Sequence, residues 1–305
     1  MTAAPLARRT SPWASGPLPL RPSTLQVGGV RSDGIEVGEG EVCLIWFPAL
    51  LDSARSFAPV ALALAARYSG RLRVCAYDPP GYGERRGGEG VPGFQELEDW
   101  SQDLLAKLGR RVVLAGNSSG AVIAVGAFSR DPEAVVGLAF VGWCDWRLVG
   151  RPHTALLCPG TEEELDRLIA RGWHTPPQLL AGTRAAQLER SRSADYRAHV
   201  RSFDPERFGS QLDAYEGPLA LVAGESDGVI TPEMIRALAC KRRDAALVIL
   251  QSCGHYPHRE RPDGLEGALA SWMEERRILP MAEAPPSVAA PTRPRSRAGA
   301  GAAGV

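Results

Sequence analysis

Short, unbroken apolar runs alternate with helix-patterned segments along most of this chain, and that alternation admits few folds. The runs are Glu41–Phe47 (EVCLIWF), Arg71–Tyr77 (RLRVCAY), Val112–Ala115, Val135–Val141 (VVGLAFV), Leu219–Ala223 (LALVA) and Ala246–Leu250 (ALVIL). A strand that is apolar at consecutive positions is buried on both faces. Between the runs, Ser56–Tyr68, Phe94–Leu108, Ala121–Phe128, a segment from Pro232 and a segment from Pro262 to about Arg276 carry helical periodicity. The pattern predicts an α/β fold: a mostly parallel central sheet with helices on both faces. In such sheets ligands bind at the carboxyl ends of the strands.

One segment breaks the rhythm. From about Trp143 to Asp213 no strand pattern is present, and aromatics such as Trp146, Trp173, Tyr196 and Phe203 sit among arginines and acids. A helical insertion over the strand ends, acting as a lid, is the economical reading. The expected organisation is a loosely ordered segment at 1–22, a first core part at 23–142, a lid at 143–213, a second core part at 214–279 and a loosely ordered tail at 280–305. The tails are rich in Pro, Ala and Ser or Gly, and Arg293, Arg295 and Arg297 read as solvated.

The formal charge of the 305 residues is zero, so bulk electrostatics favours neither nucleic acid nor an anionic membrane. No stretch approaches the roughly 20 apolar residues of a membrane span, and the N-terminus lacks a signal-peptide apolar run. The six cysteines, at 43, 75, 144, 158, 240 and 253, form no C-x-x-C pair. They read as reduced, buried thiols of a cytoplasmic protein.

The strongest local signal is Gly116-Asn117-Ser118-Ser119-Gly120. It follows an apolar strand and opens a helix, so Ser118 would project from a sharp strand-to-helix turn. The Ser119 amide, at the helix start, would face a developing oxyanion. A serine hydroxyl needs a base. His255, in the loop after Ala246–Leu250, is the candidate; His258 reads as structural or pocket-lining. His153, His174 and His199 in the insertion read as surface residues. The base needs an acid to fix its tautomer. Asp227, just past Leu219–Ala223, has the right place in the order Ser–Asp–His; Asp145, past Val135–Val141, is the alternative.

With these pieces in place, the chain resembles the lidded α/β-hydrolase superfamily from about Gly40 to Arg276. The matching motifs are DPPGYG (Asp78–Gly83), GNSSG (Gly116–Gly120), GESDGVITP (Gly224–Pro232) and GHYPHRERP (Gly254–Pro262). Their order is far more specific than any one of them. The resemblance implies a Ser118–His255–Asp227 triad, a lid after the sixth strand in the family's numbering, and scaffold roles for Asp78, Gly81, Glu260 and Pro262. It implies no metal and no organic cofactor. The chain departs from the family at Pro48-Ala49, where many members carry His-Gly. In that alignment Leu50 supplies the second oxyanion amide; shifted by one register, Pro48 would have no N–H to give. Asn117 stands where histidine is frequent, and Ser119 replaces a commonly larger residue.

The function implied is hydrolysis of a carboxylic ester or thioester of a small-molecule acyl substrate through an acyl-enzyme. The unusual Pro48-Ala49 loop keeps open acyl transfer, cyclisation or elimination on the same scaffold, and a non-catalytic ligand-binding protein is the third reading. Asn117, Trp143, Trp146 and His258 are the candidate substrate contacts. Among the insertion's arginines, Arg147, Arg151, Arg184, Arg192 and Arg197, one facing the pocket would suit a carboxylate or phosphate; most are expected to pair with acids or face water.

Overall fold

The computed structural model describes residues 19–83, 90–109, 111–150, 154–179 and 181–279. Arg151, His153, Arg293, Arg295 and Arg297 lie outside the described residues, as do 1–18 and 280–305 of the two segments expected to be loosely ordered.

Among the described residues eight strands form one sheet. They are β1 (Arg21–Val27), β2 (Val30–Glu39), β3 (Val42–Phe47), β4 (Leu72–Tyr77), β5 (Val112–Asn117), β6 (Val135–Val141), β7 (Leu219–Gly224) and β8 (Ala246–Leu250), in the spatial order β1-β2-β4-β3-β5-β6-β7-β8. From β4 to β8 every pair is parallel, while β1–β2 and β2–β4 are antiparallel. The apolar runs mark six of these strands within a few residues. They do not mark β1 and β2, and β1 begins at Arg21, inside the segment expected to be loosely ordered. The reason is physical. The edge strand β1 is mostly exposed, and β2 carries Asp33, Gly34 and Gly38, which have low strand propensity.

Alternation along each strand sends side chains to two faces. Cys43, Ile45 and Phe47 face a core shared with α2 (Phe94–Leu108) and α3 (Ser119–Arg130). Val42, Leu44 and Trp46 face the other core, closed by α1 (Ala58–Arg67) and α12 (Pro262–Glu275), which supplies Leu265, Leu269 and Trp272. Helix α3 runs under the middle of the sheet and is buried from Ser119 to Phe128, which explains its lack of polar residues.

Between β6 and β7 the described chain is helical: α4 (Trp146–Val149), α5 (Thr154–Leu157), α6 (Glu162–Gly172), α7 (Ala181–Arg192), α8 (Ala194–Arg201) and α9 (Pro205–Asp213). Capping chemistry sets several starts. Thr161 and Glu164 form a reciprocal capping box on α6, Ser193 caps α8, and Asp204 caps α9 ahead of Pro205. Past the insertion, α10 (Pro232–Lys241) joins β7 to β8, and the short α11 (Pro257–Glu260) precedes α12. All six cysteines are unpaired, and five are buried; Cys240 is exposed, contrary to the expectation of buried thiols throughout. Among the described residues no helix is long and apolar enough to cross a membrane.

Candidate active site

The G-x-S-x-G turn has its composition for steric reasons. A Cβ at Gly116 would overlap the carbonyl carbon of Gly120, and a Cβ at Gly120 would overlap the Phe47 carbonyl. The two glycines therefore let β5 turn straight into α3 and let α3 press against the end of β3. Ser118 sits at the apex with φ +54° and ψ −117°. A non-glycine residue there is strained by about 1–3 kcal/mol, a strain found where function demands it. Its amide is held by the Val141 carbonyl at 2.9 Å.

Asp227 and His255 come from the loops after β7 and β8 and meet in a buried pair. The His255 Nδ1–H donates to Asp227 Oδ2 at 2.7 Å. Asp227 Oδ1 accepts the amides of Val229 and Ile230 at 2.8 and 2.9 Å. These bonds fix the carboxylate, and the carboxylate fixes the tautomer, so Nε2 keeps its lone pair. Gly142, at φ +56°, lets the ring approach: a Cβ there would lie 3.0 Å from Nδ1. Ser118 and His255 line the same cavity. Asp145, the alternative acid, is spoken for elsewhere. It lies buried in ion pairs with Arg147 (2.6 Å) and Lys241 (3.5 Å). Burial raises its carboxyl's pKa, but the Arg147 bonds outweigh that and hold it below the usual range.

Two candidate substrate contacts, Asn117 and His258, do not line the cavity, and for His258 this agrees with the structural side of its reading. Asn117 is fully buried and does not line the cavity: its Nδ2 donates to Val141 O and to His255 O, both at 2.9 Å. It ties the turn that carries Ser118 to the loop that carries His255. Asn117→Ala should therefore destabilise the protein by about 1–3 kcal/mol, read by chemical denaturation. It should also lower kcat more than it raises KM, because the base loses a fixed position.

His258 likewise stays out of the cavity. It is 1% exposed, and its Nε2 lies 2.8 Å from Asp52 Oδ2. Arg259 pairs with the other Asp52 oxygen. Burial pushes the Asp52 carboxyl up, but hydrogen bonds and charge from His258 and Arg259 prevail and hold it well below the carboxylate range. Asp52 closes the loop after β3, with its amide donating to Ala49 O at 3.1 Å. Within that turn Leu51 adopts φ +63°, the sign that the third residue of a type II turn requires. The turn carries Ala49 and Leu50 into the cavity wall beside Ser118 and Ser119.

The cavity holds about 430 Å³, within the range of small-molecule sites. Trp143 and Trp146 line it, with Leu168 and Phe203 from the insertion and Val229 and Met234 from the loop after β7 and from α10. Phe203 is among the insertion's aromatics singled out from the sequence; Leu168, Val229 and Met234 are missed, because nothing local marks an aliphatic side chain as pocket rather than core. The arginines resolve otherwise. Arg147 and Arg184 pair with acids; Arg192 and Arg197 bond backbone carbonyls. None of these four lines the cavity, whereas Arg171 does. Of the insertion's histidines, His174 is exposed and bonds Ser226 Oγ, but His199 is 1% exposed, contrary to the surface position expected. Tyr82 and Phe94 pack against its ring, and its two nitrogens lie within hydrogen-bond distance of the Pro92 carbonyl and the Tyr82 hydroxyl.

A parallel sheet with a strained serine after its fifth strand and a buried Asp–His pair at the strand ends defines a class. The chain belongs to the α/β-hydrolase family, whose model matches residues 44–268. It is similar to the pimeloyl-[acyl-carrier protein] methyl ester esterase of Aromatoleum aromaticum, with 27% identity over 219 residues, 63% of this chain and 84% of that protein. Among solved structures it resembles a thermophilic esterase (TM-score 0.67, 18% identity, 84% of this chain and 98% of that one). It also resembles the 2-hydroxy-6-oxo-6-phenylhexa-2,4-dienoate hydrolase of Rhodococcus sp. strain RHA1 (TM-score 0.65, 18% identity, 84% and 99%). At that identity the two structures speak for the fold alone.

Proposed function

We propose that this chain is a serine hydrolase that cleaves a carboxylic ester or thioester through an acyl-enzyme. The observation that carries the reading is the 2.7 Å pair of buried Asp227 and His255 opening on the cavity that Ser118 lines. His255 Nε2 takes the Ser118 proton as Oγ attacks the carbonyl carbon. The imidazolium so formed is stabilised by the Asp227 carboxylate. Negative charge gathers on the carbonyl oxygen, for which the Ser119 amide at the start of α3 and the Leu50 amide are the donors. The proton then passes from His255 to the leaving alcohol or thiol. Water, activated by the same histidine, releases the acid. The apolar wall favours an apolar group on the substrate, and the helical insertion, acting as a lid, limits water around the acyl-enzyme. The likeness to a methyl ester esterase supports ester cleavage over the other chemistries of this fold.

A fluorophosphonate probe tests the reading. Native protein should be labelled at Ser118, located by peptide mass spectrometry, and Asp227→Asn should label far more slowly, because its histidine loses the tautomer and the charge partner. A folded native protein that resists the probe would remove the activated serine and with it the proposal.

A further inference from the structure

Where α6 ends, residues 171–175 of the insertion lie against both loops of the Asp227–His255 pair. The Gly172 carbonyl accepts the His255 amide at 2.6 Å, and the Arg171 carbonyl accepts the Gly228 amide at 2.8 Å. His174 Nδ1 stands 2.9 Å from the hydroxyl of Ser226, the residue before Asp227. Trp173 stacks on Tyr256, the residue after His255, with ring centroids 4.8 Å apart. The approach is close enough to demand a glycine: a Cβ at Gly254 would lie 2.5 Å from the Gly172 carbonyl oxygen and 2.7 Å from Trp173 Cα.

Glu260 closes this arrangement. It ends α11, and its carboxylate turns back toward the loop that carries His255. Oε1 accepts the Gly254 amide at 2.8 Å, while Oε2 accepts the His174 amide at 2.8 Å and the Thr175 amide at 3.3 Å. Past the helix end the amides of His174 and Thr175 need acceptors, and the carboxylate supplies one to both, with the added strength of an ionised partner. One side chain thus joins the insertion to the residue before His255. Proton transfer at His255 Nε2 depends on where that ring stands, and a misplacement of about 1 Å costs on the order of 10²-fold in rate.

We infer that Glu260 is a positioning residue for His255, and that residues 171–175 make the insertion part of the machinery that holds the base as well as a cover over the cavity. Glu260 does not line the cavity, so it acts through the Gly254 and His174 amides and not on the substrate. Lifting the insertion from the strand ends as a unit would break the Gly172–His255 bond and release the base. The inference rests on the serine-hydrolase reading and adds to it a residue that acts through His255.

The test uses Glu260→Gln and Gly254→Ala in the full chain. A glutamine side chain has one oxygen and one NH2 group, so one of the two sets of amides would face a donor. Gly254 has a φ outside the left-handed region, so the backbone tolerates Gly254→Ala, and the new Cβ acts chiefly by pushing against Gly172, Trp173 and the Glu260 carboxylate. Rates are referred to folded protein, counted by urea denaturation. Each variant should lower kcat for p-nitrophenyl acetate and for p-nitrophenyl octanoate by the same factor, about ten- to hundredfold. KM for both esters should stay within about twofold, and fluorophosphonate labelling of Ser118 should slow by the factor seen in kcat. A purely structural role would leave kcat per folded molecule unchanged, and a role in cavity shape alone would raise KM for the octanoate with kcat kept. Either result, in a variant that folds, overturns the inference and leaves ester hydrolysis in place. The ring is also read directly from the low-field proton NMR signal of His255 Nδ1–H, assigned by its loss in His255→Gln. Glu260→Gln should shift or broaden that signal, and an unmoved signal overturns the inference. A native chain that resisted the fluorophosphonate would count against the serine-hydrolase reading, while the NMR comparison would still decide whether Glu260 positions the base.

Discussion

Ser118→Ala should lower kcat for any ester substrate by about four to six orders of magnitude, leaving far-UV circular dichroism and the unfolding transition unchanged or slightly raised. The size follows from interdependence. Without Oγ, the Asp227–His255 pair has no proton to take, and the cavity with its oxyanion amides retains only binding and charge stabilisation. The preserved fold follows from the backbone. Alanine keeps a Cβ at φ +54° and so inherits the strain of serine. Ser118→Gly removes that Cβ and should be more stable than Ser118→Ala by up to about 1 kcal/mol. The pair of variants separates the chemistry from the geometry that permits it. An alanine variant that turned over substrate within tenfold of native enzyme would exclude a covalent route through Ser118 and favour an elimination or cyclisation in which this serine only binds.

The largest stability effect is expected at Asp52. Its carboxylate accepts from His258 and Arg259, from the Ser53 amide at 2.8 Å and from Ser56 Oγ at 3.0 Å, at 6% exposure. Asp52→Ala removes the common partner and leaves His258 buried against an apolar wall, a loss of about 3–5 kcal/mol for one member of a buried pair. The pH dependence carries the sign. The folded-state pKa of this carboxyl is depressed, so its contribution is present in full above the unfolded value near 4 and is lost as pH falls through and below it. Native protein should therefore lose stability more steeply between about pH 5 and pH 3 than Asp52→Asn does, measured by urea denaturation across that range. Equal slopes would mean that the carboxylate is not ionised against its partners. The Asp52 side chain also anchors the loop that carries Leu50 to His258 and Arg259, so either variant should slow fluorophosphonate labelling of Ser118 beyond what the loss of folded protein explains.

Much of this site is legible in the order of the residues. Local pattern and order along the chain single out Ser118, Asp227 and His255, because each sits in a turn whose chemistry is written in neighbouring glycines and the preceding strand. The sheet strands buried on both faces are equally plain. The misreadings share a cause. The edge strand β1 and its neighbour β2 are held extended by their pairing partners, not by their composition. Asn117 and His258 resemble substrate contacts because polar residues beside a nucleophile or base usually face the site; here each turns inward to bond a loop distant in sequence. His199 has the local pattern of a surface residue because charged Asp195, Arg197 and Arg201 share its short helix, and only the packing of Phe94 and Tyr82 against its ring shows that this face is covered.

The amino-acid sequence alone dictates which groups are available for chemistry and which strand ends carry them, since turns and strands are made by contacts among near neighbours. Tertiary packing settles which way each buried proton points and which apolar side chains make the cavity. Those outcomes depend on partners that lie tens to hundreds of residues apart, and a buried donor has no water to fall back on, so its direction is set wholly by where those partners come to rest.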